Sequence, residues 1–214
     1  DLCKQGANFC NKIWNAFRLV QGWQAADIDQ PLSSAKAIDW MQAKVRAEVA
    51  EIDDLYSKYP LNEALMTAFK LFTDEFSGWY LEMVKPAYQA PIDRKTLQAT
   101  LQIFEDLMKV IHPFMPFITE EIYQHITERA EGESIMTSVL TLEAPNQADA
   151  ALLASMEQAK QIISGVRAIR QSKNIAPREE MTLEVVETEG AGHSEAHDEA
   201  LCQIIKKMAT LEAV

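Results

Sequence analysis

Residues 33–58 contain neither glycine nor proline, and their apolar members recur at Ile38, Met41, Val45, Val49, Ile52 and Leu55. Steps of three and four residues put those side chains on one face of an α-helix, a period that no strand satisfies. Three further stripes repeat the pattern. Phe9, Ile13, Ala16, Phe17 and Val20 mark a first helix within Leu2–Gln24. Leu65, Phe69, Phe72, Phe76 and Trp79 mark a third, running from Leu61 to Val84. Leu97, Leu101, Phe104, Leu107, Met108 and Ile111 mark a fourth. The punctuation agrees with this division. Asp27–Pro31 breaks the first helix from the second, which Ser33 or Ser34 is expected to cap. Tyr59-Pro60 ends the second, because a residue before proline avoids the helical region. Pro86 stops the third, Asp93 caps the fourth, and Pro113 and Pro116 precede a short fifth helix from Phe117 to about Arg129. Long helices joined by short connections read as an antiparallel bundle.

The pattern then changes. The stretch 130–147 is irregular, with Gly132, Ser134 and Pro145, before a helix from Asp149 to Lys173. Met181–Glu187 alternates in the manner of a strand, a loop runs from Glu189 to His197, and Asp198–Leu211 forms a last helix. One strand cannot make a sheet, so its partners are expected outside this stretch or beyond a cut near Val214. The expected fold class is mainly α: an antiparallel helical bundle over 1–130, a linker over 131–148, and a basic helix with a small truncated α/β appendage over 149–214.

At 214 residues and 48% hydrophobic, the chain can bury a sizeable core. No apolar run approaches the ~18 residues a membrane span needs, and no basic-then-apolar leader is present. Cys3, Cys10 and Cys202 form an odd set without a CxxC pair, which fits a reducing compartment better than a disulfide framework. A cytoplasmic location and no membrane partner are the expectations.

The net charge of −12 opposes nucleic-acid binding unless cations are locally concentrated. They are: residues 1–26 carry +2 and residues 158–178 carry +5, the latter from Lys160, Arg167, Arg170, Lys173 and Arg178 with no acid among them. On the first helix, Asn8, Asn11, Lys12, Asn15 and Arg18 fall at helical steps and form one polar stripe opposite the apolar face. An amide offers a donor and an acceptor, which suits the edge of an unstacked base, while Lys and Arg suit phosphate. Ordinary solvated helix faces account for the charge alone equally well. Glu48, Glu51, Asp53 and Asp54 read as an acidic surface that would repel RNA.

Other constellations carry less. His193 and His197 have the spacing of two ligands on a helix, but they sit in a glycine-containing loop with no third ligand, so no metal site is expected. His112 before Pro113 suits a hinge hydrogen bond, and Trp14, Trp23, Trp40 and Trp79 suit packing at core or edge.

The stretch from Gly6 to Arg18, with Asn11-Lys12-Ile13-Trp14-Asn15 at its centre, resembles the start of the anticodon-binding domain of valyl-tRNA synthetases. Further segments agree in order: Trp79 to Pro86, the proline-punctuated hinge from His112 to Ile122, and the basic stretch from Ile163 to Pro177. The resemblance covers nearly the whole chain. The hinge is also similar to isoleucine and leucine enzymes, so an anticodon domain from either is one alternative, and an acidic all-α protein-interaction scaffold is another.

The resemblance implies a fold of the class I synthetase anticodon-binding type and a partner, the anticodon stem-loop of tRNA(Val). It implies a parent enzyme, monomeric, that attaches valine to tRNA with ATP and Mg²⁺. The family's His-Ile-Gly-His and Lys-Met-Ser-Lys-Ser signatures do not occur here. This segment is therefore expected to hold no cofactor and to catalyse nothing alone. By motif position, Lys12 and Arg18 would meet phosphates or base edges and Asn15 a base edge, with Asn8 and Asn11 beside them. Arg167, Arg170 and Lys173 would meet tRNA backbone. An aromatic often follows the arginine in the family and stacks on a base; here Leu19 stands there.

Overall fold

A computed structural model describes residues 2–176, 179, 181–184 and 198–213. The chain is mainly helical, and the elements follow the apolar stripes. Helix α1 spans Leu2–Gln21, α2 Leu32–Lys58, α3 Leu61–Lys70, α4 Leu81–Val84, α5 Arg94–Ile111, α6 Pro116–Ile126, α7 Gln147–Lys173 and α8 Glu199–Ala209. Between α3 and α4 runs a π-helix, Leu71–Tyr80.

The local signals act mostly as expected. Asp93 caps α5 by accepting from Thr96 N at 2.8 Å. Tyr59 closes α2 with φ 70°, a left-handed conformation that reverses the chain into α3. Some boundaries differ. Neither Ser33 nor Ser34 caps α2; Pro31 holds the cap position, and its carbonyl accepts from Ser34 N and Ala35 N at 3.0 Å. The fifth helix begins at Pro116, whose missing N–H costs nothing in a first turn, and ends at Ile126. Arg129 lies beyond it, drawn to Glu105 on α5 and stacked on the Tyr123 ring at 3.7 Å. The expected single third helix is not regular throughout, since its middle is the π-helix.

Aromatic side chains weld the bundle. Phe104 of α5 contacts Phe17 of α1 at 6.1 Å and Phe72 and Phe76 of the π-helix at 5.7 and 5.2 Å between ring centroids. Phe9 of α1 reaches Phe69 at 4.6 Å and Phe72 at 5.9 Å. Each such ring contributes roughly 1.5–3 kcal/mol by leaving water. Helices α7 and α8 pack on α2, so one contiguous core runs from Phe9 to Leu211.

Two short sheets were not anticipated as such. Strand β1, Ala25–Ala26, pairs in parallel with β2, Ile92–Asp93. Strand β3, Met181–Thr182, pairs in parallel with β4, Leu211–Ala213. The second pair corrects the expectation that the strand at Met181 has its partner elsewhere: α8 returns the chain to its side. Residues 185–187 of that expected strand, and the loop carrying His193 and His197, lie outside the described residues.

Candidate nucleic-acid interface

Helix α1 is two-faced. Phe9, Ile13, Ala16, Phe17 and Val20 are buried, while Asn8, Asn11, Lys12, Asn15 and Arg18 are exposed on the opposite side. Among the described residues, the side chains of Asn8, Asn11, Asn15 and Arg18 make no hydrogen bond or ion pair within the chain. Their donors and acceptors are therefore open to a ligand. Lys12 differs: its Nζ donates to the Thr73 carbonyl of the π-helix at 3.1 Å. An ammonium has three donors, so two remain.

Asn8, Asn11, Lys12, Asn15 and Leu19 line one wall of a groove of about 460 Å³. Ser77, Leu81 and Glu82 line the other. That Ser77 and Glu82 form the second wall was not legible in sequence, because both lie more than fifty residues beyond the end of α1. Glu82 is paired with Lys85, the residue that follows α4. The groove thus presents amides, one ammonium, a hydroxyl and one carboxylate around an apolar floor, a set suited to a base edge rather than to a bare phosphate. Leu19, 44% exposed, presents an apolar side chain where the family resemblance implies an aromatic. Phe17 is only 3% exposed and cannot substitute. Arg18 stands outside the groove, beside Trp14, which is 37% exposed and is the one aromatic on the outer flank of α1 among the described residues.

The basic segment of α7 behaves differently: Arg167, Arg170 and Lys173, expected to meet tRNA backbone, stand in different surroundings. Arg170 is 7% exposed, and its guanidinium donates to Ala176 O at 3.1 Å and to Thr210 O at 2.6 Å. Arg167 donates to Met208 O at 2.9 Å and lies over the Trp79 ring. Lys160 is held by Glu75 of the π-helix at 2.9 Å. These cations spend their charge on helix ends and an internal carboxylate. Arg167 and Lys173 are both exposed, but of the three expected contacts only Lys173 is, among the described residues, without a partner. None of the α7 cations lines the groove. Arg178 lies outside the described residues.

The acidic patch is surface, as expected: Glu51, Asp53 and Asp54 are exposed on α2, and Glu48 is paired with Lys44 at 2.7 Å. His112 Nδ1 lies 2.7 Å from Thr119 Oγ1, the expected hinge bond.

Residues 39–187 match the family described as the anticodon-binding domain of tRNA ligase. The match begins inside α2, so α1 lies before it. Curated relatives extend across α1 as well. A valine–tRNA ligase of Parabacteroides distasonis is 49% identical over 216 residues, covering 100% of this chain and 23% of the relative. One of Bacteroides thetaiotaomicron is 48% identical, covering 100% and 24%. One of Phocaeicola vulgatus is 52% identical over 185 residues, covering 86% and 21%. The chain thus spans less than a quarter of the length of these relatives. On the extent of the family match, with a bundle of the expected class and relatives that share most of its length, this chain belongs to the anticodon-binding domain family of tRNA ligases.

Proposed function

We propose that the chain is the anticodon-recognising segment of a valine–tRNA ligase and that α1 reads the anticodon loop of tRNA(Val). One observation carries the reading: a helix face of open amides and cations beside a groove, on a chain that is otherwise acidic. Its relatives among the valine–tRNA ligases support the choice of valine. Valine tRNAs carry A and C at the second and third anticodon positions. Asn15 and Asn8 offer the paired donor and acceptor that an unstacked base edge requires. Lys12 holds a phosphate or base oxygen, Arg18 holds backbone outside the groove, and Leu19 gives a base its apolar contact. Lys173 is the α7 cation left for the stem.

In the parent enzyme, valine would be joined to tRNA(Val) at the expense of ATP with Mg²⁺, in the cytoplasm and by a monomer. The residues present here supply binding and orientation for that reaction, not its chemistry. The test is an anisotropy titration of the chain against a labelled anticodon stem-loop of tRNA(Val) and the same RNA with its second anticodon base replaced. Micromolar affinity at low salt, falling steeply with added salt and weaker for the replaced base, is expected. Equal affinity for both RNAs would overturn it.

A further inference from the structure

The carbonyl that anchors Lys12 belongs to an unusual element. A π-helix is rare, is mostly a single-turn bulge, and is often found where a protein does something specific. Here it runs for 10 residues, Leu71–Tyr80. On one side, Thr73 O accepts from Lys12 Nζ at 3.1 Å. Two residues on, Glu75 reaches away from α1 to α7, where Lys160 Nζ donates to both carboxylate oxygens at 3.1 and 2.9 Å. That pair is largely withdrawn from water, with side-chain exposures of 12% and 17%. Glu157 approaches Lys160 at 3.5 Å, and Lys160 also lies 5.3 Å from the Trp79 ring and 5.7 Å from the Trp40 ring. The π-helix is therefore clasped from both sides, by a free ridge and by a buried clamp.

We propose that Lys160 and Glu75 are positioning residues for Lys12. Neither lines the groove. Their pair fixes the π-helix against α7, and the fixed Thr73 carbonyl holds the Lys12 ammonium at the mouth of the groove, with two donors aimed outward. An unanchored lysine would sweep many rotamers, and ordering it on binding would cost side-chain entropy. The clamp meets that cost during folding. Gly78 belongs to the same device: a β-carbon there would sit 3.3 Å from Thr73 O. A side chain would press on the anchoring carbonyl. The proposal rests on the reading that α1 meets RNA.

The test uses the whole chain with lysine ¹⁵N labelling, Lys12 being assigned by the signal lost in Lys12→Ala. Lys160→Met and Glu75→Gln are expected to shift the Lys12 ammonium signal and to weaken anticodon stem-loop binding about three- to tenfold. Lys160→Arg, which keeps the charge and can still grip Glu75, restores both. On a Lys12→Ala background, Lys160→Met should weaken binding no further. An unmoved Lys12 signal in folded Lys160→Met, or an equal loss with Lys12 absent, overturns the proposal. If Lys160→Met does not fold, Glu75→Gln decides on the same signal, removing the clamp's charge while keeping its size. If the wild-type chain binds no RNA, the function proposed above fails, and the Lys12 signal alone still decides whether the clamp positions it.

Discussion

Arg46 of α2 grips Asp149 of α7 with two hydrogen bonds, Nε to Oδ2 at 3.0 Å and Nη2 to Oδ1 at 2.6 Å. The same carboxylate accepts from Asn146 N at 3.2 Å, while Asn146 Oδ1 accepts from Asp149 N at 3.0 Å. One side chain thus completes a capping box and joins the last long helix to the bundle. Asp149→Asn keeps the size but loses the charge. It should lower the melting temperature by clearly more than Lys58→Ala, which breaks only the exposed pair with Asp54. Thermal unfolding followed by circular dichroism checks the ranking.

The pair also sets a pH dependence. Hydrogen bonding from Arg46, ahead of any effect of burial, holds the Asp149 carboxyl below its ordinary value of 3.8. At Asp198 burial pushes upward, but Lys36 and the amides of α8 outweigh it and the net shift is again downward. A depressed folded-state pKa adds stability above the unfolded value and loses it as pH falls through the folded one. Stability should therefore fall once pH drops below about 3.8, and Asp149→Asn should flatten that fall. A denaturant series from pH 6 to pH 2, compared between the two proteins, reads it.

Phe104 stands where α1, α5 and the π-helix meet, with no exposed surface. Phe104→Ala should cost about 3–5 kcal/mol, the range for emptying a buried aromatic site. Urea unfolding measures it, and a loss below 1 kcal/mol would mean the rings close over the gap.

On α1 the expected effects divide by chemistry. Lys12→Ala should weaken binding of cognate and altered stem-loops alike and reduce the salt dependence by about one counterion. Asn15→Ala should instead narrow the gap between the two RNAs. If both variants keep wild-type affinity and preference, the reading surface is elsewhere.

Arg170 makes the opposite prediction to the one its charge suggests. Its guanidinium closes the ends of α7 and α8 by donating to Ala176 O and Thr210 O. Arg170→Met should destabilise the chain by about 2 kcal/mol, as expected for hydrogen bonds from a charged group. RNA affinity should not change. A matched pair of melting and titration experiments separates these effects.

Helices α1, α2, α5 and α7 were legible in the sequence because a helix is a local object: its period, its caps at Asp93 and its breaks at Pro60 and Pro86 are written within a few residues of where they act. The exposed ridge of α1 was legible for the same reason, since the apolar stripe that is buried dictates which side remains. Tertiary structure decided what depends on distant partners. Arg170 and Lys160 look like free cations until Thr210 and Glu75 come within reach. Met181 looks like an orphan strand until α8 brings Leu211 beside it. The groove exists only because Ser77 of the π-helix and Glu82 of α4 close its second wall. Charge and hydrogen-bonding capacity are fixed by residue type, but where they are spent depends on long-range packing, which periodicity does not encode.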